Sequence, residues 1–131
     1  MCGISGLFRP TKNVEEREIL QITDALKHRG PDGYGIKLFE NGAIGHRRLS
    51  IIDLETGKQP MANEDESIWI TFNGEIYNFQ ELYSQLKTAG HQFKTKSDTE
   101  VISHGYEQWG TDVLKKLRGM FSFSLVDTKK Q

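Results

Sequence analysis

Residues 1–8 read Met1-Cys2-Gly3-Ile4-Ser5-Gly6-Leu7-Phe8, and the use made of this stretch decides the rest of the molecule. Gly3 to Phe8 has the length of a short strand, and Pro10 ends it. Cys2 stands at the mouth of that strand. By itself a second-position cysteine is most often a small, buried and unreactive side chain. The other reading requires removal of Met1. Cys2 would then carry a free α-amino group of ordinary pKa ~7.7–8.0 beside a thiol of ~8.5. Through one water, that amine can take the thiol proton near neutral pH, so nucleophile and base reside on one residue. With Met1 attached, the nitrogen is an amide and the base is gone. Gly3 suits a strand start that a ligand must approach closely.

Outward from this strand, helix-like and strand-like patterns alternate. Residues 13–28 read as a helix with Asn13 as N-cap, Glu16 three residues on, and Ile19, Ile22 and Leu26 on one face. Gly30 and Pro31 stop it. Residues 35–39 and 43–52 form a predicted hairpin around Asn41-Gly42. Residues 67–73, with Ile68, Trp69, Ile70 and Phe72, read as a strand. A second helix is expected over 78–89, with Glu81 in its first turn and Gly90 at its end. Ser97 and Glu100 make an S-x-x-E capping box for a third, reaching Trp109. A short fourth helix spans 112–117. Residues 120–126 alternate Phe121, Ser122, Phe123, Ser124, Leu125, the period of a strand with one buried face. The turn-like composition after Asp127 implies a returning strand beyond Gln131. The chain therefore reads as a fragment whose last strand leaves an unpaired edge.

Composition narrows the class. The 131 residues fit one domain with a single core. Seventeen basic and 18 acidic residues leave a formal charge of −1, so no strong field draws a nucleic acid or an anionic membrane. No apolar run approaches the ~20 residues of a membrane span, and no signal pattern opens the chain, which predicts a soluble, cytoplasmic protein. One cysteine excludes an internal disulfide framework and a multi-cysteine zinc site. His28, His46, His91 and His104 lack metal-ligand spacing such as H-x-x-x-H, so no metal site is read. Thirteen glycines, about a tenth of the chain against a usual ~7%, suggest tight turns and close backbone approaches in a sheet-rich enzyme.

Four places carry candidate chemistry. Asn73-Gly74-Glu75 follows an apolar run. It reads as a turn, or as an asparagine amide beside a glycine N–H, two donors for a developing oxyanion. Of the adjacent Arg47 and Arg48, strand alternation turns one inward, where it needs a carboxylate partner. That partner is either a protein acid or a substrate α-carboxylate held by Arg48. Asp98 sits where an acid favours a helix N-terminus, and could equally receive a substrate ammonium. Glu75 is a second candidate for that role. The loop His28-Arg29-Gly30-Pro31-Asp32-Gly33 shows only a helix end and a constrained turn.

Taken together and in order, these blocks resemble one family. MCGISG (residues 1–6), HRGPDGYG (28–35), RLSIIDL (48–54), QPM (59–61), FNGEIYN (72–78), SDTEV (97–101) and RGMFSFSLVD (118–127) are similar to the N-terminal glutaminase domain of the asparagine synthetases, a class II glutamine amidotransferase. The resemblance implies an α+β fold of N-terminal-nucleophile hydrolase type, an αββα sandwich of two antiparallel sheets, incomplete at the C-terminus of this chain. It assigns Cys2 as nucleophile, Asn73 and Gly74 as oxyanion hole, and Arg48 as the ligand of the L-glutamine carboxylate. Backbone groups of Leu49, Ser50, Ile51 and Ile52 would line the pocket, and Asp98 and Glu75 would hold the amino end. The partner would be a C-terminal synthetase domain of the same chain, whose S-G-G-x-D-S loop is absent here. ATP and magnesium are implied for that domain and no cofactor for this one. A homodimer is compatible with the resemblance. Two other readings stand beside it: the same module serving a sugar or modified amino acid, and a non-catalytic truncated module.

Overall fold

The architecture follows from two sets of short strands that each leave one apolar face to cover. A computed structural model describes residues 1–50 and 57–130. Strands β1 (Gly3–Phe8), β2 (Gly33–Phe39) and β3 (Gly42–Arg48) form one antiparallel sheet with β3 in the middle. Strands β4 (Met61–Ala62), β5 (Ile68–Ile76) and β6 (Gly119–Asp127) form a second, with β5 in the middle.

The sheets lie face to face, β1 and β3 against β5. Thr71 on β5 donates to Gly45 O at 3.1 Å and meets His46 Nδ1 at 3.2 Å, while Lys37 of β2 sits 4.1 Å from the centre of the Trp69 ring. Helix α1 (Glu16–Asp24) covers the outside of the first sheet. Helices α2 (Phe79–Thr88) and α3 (Asp98–Trp109) cover the outside of the second, where Ile70, Phe72 and Ile76 bury against Leu82, Leu86, Val101 and Ile102. This is the helix–sheet–sheet–helix order that the resemblance implies.

Helix α1 begins at Glu16, three residues later than expected. Val14, not Asn13, decides the start. It is buried with Ile19, the pair that staples a helix entered through Glu15, and Glu15 N donates to Glu18 Oε2 at 2.9 Å. The helix also ends early, at Asp24, and residues 25–29 continue in i to i+3 turns such as Leu26 N to Thr23 O at 3.1 Å. At α3 half of the capping box forms. Ser97 Oγ accepts from Thr99 N at 3.2 Å, but Glu100 turns back to the preceding loop and accepts from Lys94 N at 2.7 Å and Thr95 N at 2.8 Å. Asn78 does not cap α2 with its side chain. That amide ties the helix start to the approach of β6, through Lys116 O and Arg118 N, each at 2.9 Å.

Strand β5 runs three residues past its predicted end, so Asn73-Gly74-Glu75 lies within a strand and not in a turn. Its partner β6 is long enough to pair with all three, at Ser122, Phe121 and Met120. Gly74 has φ +149°, and a Cβ there would strike Met120 O, so only glycine fits. The described hairpin ends at Arg48, so the strand stops short of Leu49 and Ser50, and its expected continuation over Ile51 and Ile52 lies outside the described residues. The two-residue β4 and a 3₁₀ turn at Gly110–Asp112, which leads into α4 (Val113–Lys116), were not anticipated. Strand β6 is an edge strand among the described residues.

Candidate active site

Strand alternation sorts the candidate side chains by face. Ser5 meets Thr23 of α1 at 2.8 Å between hydroxyls, and a Cβ on Gly3 would strike Leu26, so odd positions of β1 face α1. Gly6 faces the other way, 4.0 Å from Ser124 Oγ at the position a Cβ would take. One step back along the same alternation, Cys2 belongs to the side between the sheets. On β3, Gly45 and Arg47 face α1, whereas Ile44, His46 and Arg48 face the second sheet.

That settles the two arginines. Arg47 is the buried one, 7% exposed; it pairs with Asp24 and donates from Nε to Thr23 O at 3.4 Å. Arg47 therefore has a protein carboxylate as its partner. Arg48 is half-buried on the same side as Cys2. His46 is pushed down to about 4, first by burial and then by the Arg48 charge, so it stays neutral.

Cys2 is half-buried, and Leu49 N donates to its Sγ at 3.5 Å. Arg29 Nε donates to Cys2 O at 3.1 Å. Asp32 accepts from Ser50 N at 2.7 Å, and its own N–H donates to Arg48 O at 3.0 Å. Gly30 packs so tightly on the Arg47–Arg48 backbone that any Cβ would collide. The loop that read only as a constrained turn thus fastens both the Cys2 main chain and the Arg48-Leu49-Ser50 segment. The density of Arg, Gly, Pro and Asp was the signal; its targets, 16 to 27 residues away, were not legible.

The second group gathers on β5 and α3. A cleft of about 580 Å³ is lined by Gly74, Glu75, Tyr77, Phe79, Lys96 and Asp98 among others. Asp98 Oδ2 accepts from Ile76 N at 3.0 Å. Burial raises the Asp98 carboxyl above its ordinary range; hydrogen bonds from Ile76, Asp98 and Thr99 N–H groups oppose the shift, and the nearby Glu75 charge adds to it. On the same edge of β5, Phe72 N donates to Gln59 Oε1 at 2.6 Å, and Gln59 Nε2 reaches Thr99 Oγ1 at 3.4 Å. Tyr77 N points instead to β6, at Arg118 O. The Gly74 N–H therefore leaves the strand between two side-chain-capped neighbours. Asn73 shares the face of Trp69 and Thr71, toward Cys2 and Arg48. Gln59 was missed as a contributor because its partners lie 13 and 40 residues away.

The structure thus brings Cys2 to Leu49, puts Arg48 and Asn73 on the same inter-sheet side, and collects Gly74, Glu75 and Asp98 around one cleft. Ser50 is held by Asp32, and Ile51 and Ile52 lie outside the described residues. The family described as glutamine amidotransferase domain matches residues 1–131. This chain belongs to the glutamine amidotransferase domain family.

The amidotransferase domain is 44% identical over 131 residues to an asparagine synthetase [glutamine-hydrolyzing] of Zea mays, covering 98% of this chain and 22% of that protein. It is 46% identical over 127 residues to asparagine synthetase [glutamine-hydrolyzing] 1 of Bacillus subtilis (strain 168), covering 94% of this chain and 20% of that one. The chain therefore spans about a fifth of the length of these relatives and corresponds to their N-terminal region. Among solved structures, the glutamine phosphoribosylpyrophosphate amidotransferase from B. subtilis, complexed with ADP and GMP, superposes with a TM-score of 0.65 at 25% identity. The match covers 97% of this chain and 35% of that one. The N-terminal-nucleophile hydrolase fold of the domain stands on this likeness and on the two stacked antiparallel sheets. Among the described residues, no helix is long and apolar enough to cross a membrane.

Proposed function

We propose that the domain hydrolyses L-glutamine to glutamate and ammonia through a thioester on Cys2, and that the ammonia passes to a synthetase part of a longer chain. The observation that carries the reading is the placement of Cys2 at the mouth of β1, its sulfur 3.5 Å from Leu49 N, beside Arg48 and on the Asn73 side of the sandwich. Met1 stands 68% exposed ahead of it, which suits its removal.

Once Met1 is gone, the Cys2 amine accepts the thiol proton through a water, and the thiolate attacks the glutamine side-chain carbonyl carbon. The Asn73 amide and the Gly74 N–H receive the oxyanion. Collapse breaks the C–N bond, and the ammonium of Cys2 returns its proton to the departing ammonia. Water, deprotonated by the same amine, then attacks the thioester; glutamate leaves and the thiol is restored. Arg48 pairs with the substrate carboxylate, with the backbone of Leu49, Ser50, Ile51 and Ile52 along the pocket. Asp98 and Glu75 take the substrate ammonium. The raised Asp98 carboxyl fits that role, since an arriving cation favours its ionised form.

ATP and magnesium chemistry belongs, in this reading, to the synthetase part, where aspartate is the acceptor. We further propose a cytoplasmic setting, and a homodimer remains part of the same proposal. Intact mass with glutamate release tests the mechanism. Protein lacking Met1 should release glutamate, become labelled at Cys2 by diazo-oxo-norleucine, and lose activity by ~10⁴-fold or more as Cys2→Ser. Full-speed turnover with Met1 retained, or labelling away from Cys2, overturns it.

A further inference from the structure

Helix α3 and the connection before it hold a cluster that the proposed amidotransferase reaction does not use. His104 is 1% exposed, and its Nδ1 lies 2.8 Å from Glu107 Oε2, one helical turn on. His91, in the connection between α2 and α3, places its own Nδ1 3.5 Å from the same oxygen. One donor atom from each of the three residues lies within 4.8 Å of the other two. We infer that His91, His104 and Glu107 form a binding site for a borderline divalent transition cation of the zinc type, held through the two Nδ1 atoms and a Glu107 oxygen, with water in the fourth position.

Three features carry this. Ligand atoms ~2.0–2.1 Å from a tetrahedral ion stand roughly 3.4 Å apart. The 2.8 and 3.5 Å separations bracket that value, so closing the chelate takes side-chain shifts on the order of 1 Å. Two imidazoles and one carboxylate suit zinc, nickel or copper, whereas magnesium and calcium prefer oxygen throughout. Each ring also has an oxygen at its far nitrogen: Gln108 Oε1 is 3.0 Å from His91 Nε2, and Glu100 Oε1 is 3.4 Å from His104 Nε2. An outer oxygen of this kind orients a ligating histidine and sharpens its basicity.

The charge balance favours a cation as well. Glu100, Glu107 and Glu64 all lie within 3.5 Å of His104 nitrogens. Such a clip would tie the α2–α3 connection to the helix whose first residue is Asp98.

Zinc binding and cobalt spectra on Cys2→Ser protein, which removes the competing thiol, test the site. The expected result is one equivalent of zinc, and cobalt bands of four-coordinate intensity. Both should weaken at least about 100-fold in His91→Ala and in Glu107→Gln, and about 10-fold in Gln108→Ala, which removes only an outer oxygen. Far-ultraviolet circular dichroism should stay unchanged in all three. Binding that persists in His91→Ala and Glu107→Gln, or cobalt without those bands, is adventitious binding and overturns the site.

Discussion

The two sheets have the same number of strands and opposite means of support. Beneath the second, two helices and a cluster of nine buried apolar residues, from Ile70 to Leu117, hold β5 in place. Behind the first lies one nine-residue helix, with a small buried cluster of Val14, Ile19 and Ala43. Glycines on β1 and β3 bring α1 close: at Gly3 a Cβ would strike Leu26, and at Gly45 it would strike Thr23. Little apolar bulk is left between helix and sheet. Polar ties compensate: Arg47 to Asp24, Arg29 to Cys2 O, Asp32 to Ser50 N. In the proposed reaction the oxyanion donors thus stand on hydrophobic packing, and the nucleophile on directional bonds. Donors that must not move sit in the denser half, where close packing resists displacement.

This contrast can be broken at its strongest point first. Leu86 and Ile19 are both fully buried. Leu86→Ala should cost about 3–5 kcal/mol and Ile19→Ala about 2–3 kcal/mol, because fewer apolar neighbours surround the latter. Urea unfolding midpoints measure both, and equal losses would abolish the distinction. Next, Asn73→Ala should lower the turnover number for glutamine hydrolysis by ~10²–10³-fold, or about 3–4 kcal/mol, by removing one oxyanion donor. Alkylation of Cys2 by iodoacetamide should keep its rate. Loss of thiol reactivity alongside turnover would mean that the two halves are not separable.

Histidines in the two regions sharpen the comparison through pH. His46, in the seam between the sheets, has a folded value of about 4 against an ordinary 6.5. The unfolded chain takes the proton first, so the stability due to His46 is complete above pH 6.5 and falls as pH drops toward 4, by about 3 kcal/mol. His104, in the helix layer, is raised. Its contribution is complete below pH 6.5 and is lost as pH rises through its folded value. Thermal melts across pH should show His46→Gln flattening the acid side and His104→Gln flattening the alkaline side. The reverse assignment would refute both environments.

Much of the plan was legible along the chain. Alternation at 120–126 marked β6, and Ser97 marked the start of α3, because such signals act within a few residues. Seven ordered blocks carried the likeness to a glutaminase domain, which the family match and the shared fold bear out. Other features depended on partners brought in from afar. A capping box was expected at Glu100, yet its carboxylate is drawn to the N–H groups of Lys94 and Thr95 in a loop whose path only the packed chain defines. Histidine spacing showed no metal pattern, while the fold carries His91 to His104 and Glu107.

By itself the sequence determined the strand and helix periods, and it marked a candidate nucleophile at Cys2 and a candidate donor pair at Asn73-Gly74. Those depend on residue chemistry and on neighbours within a turn or two. Tertiary structure alone decided that Arg47 pairs with Asp24 while Arg48 faces the other sheet, and that Gln59 and Asp98 cap the N–H groups on either side of Gly74. Sheet register and helix packing set those pairings, across 13 to 23 residues, and no local pattern along the chain encodes them.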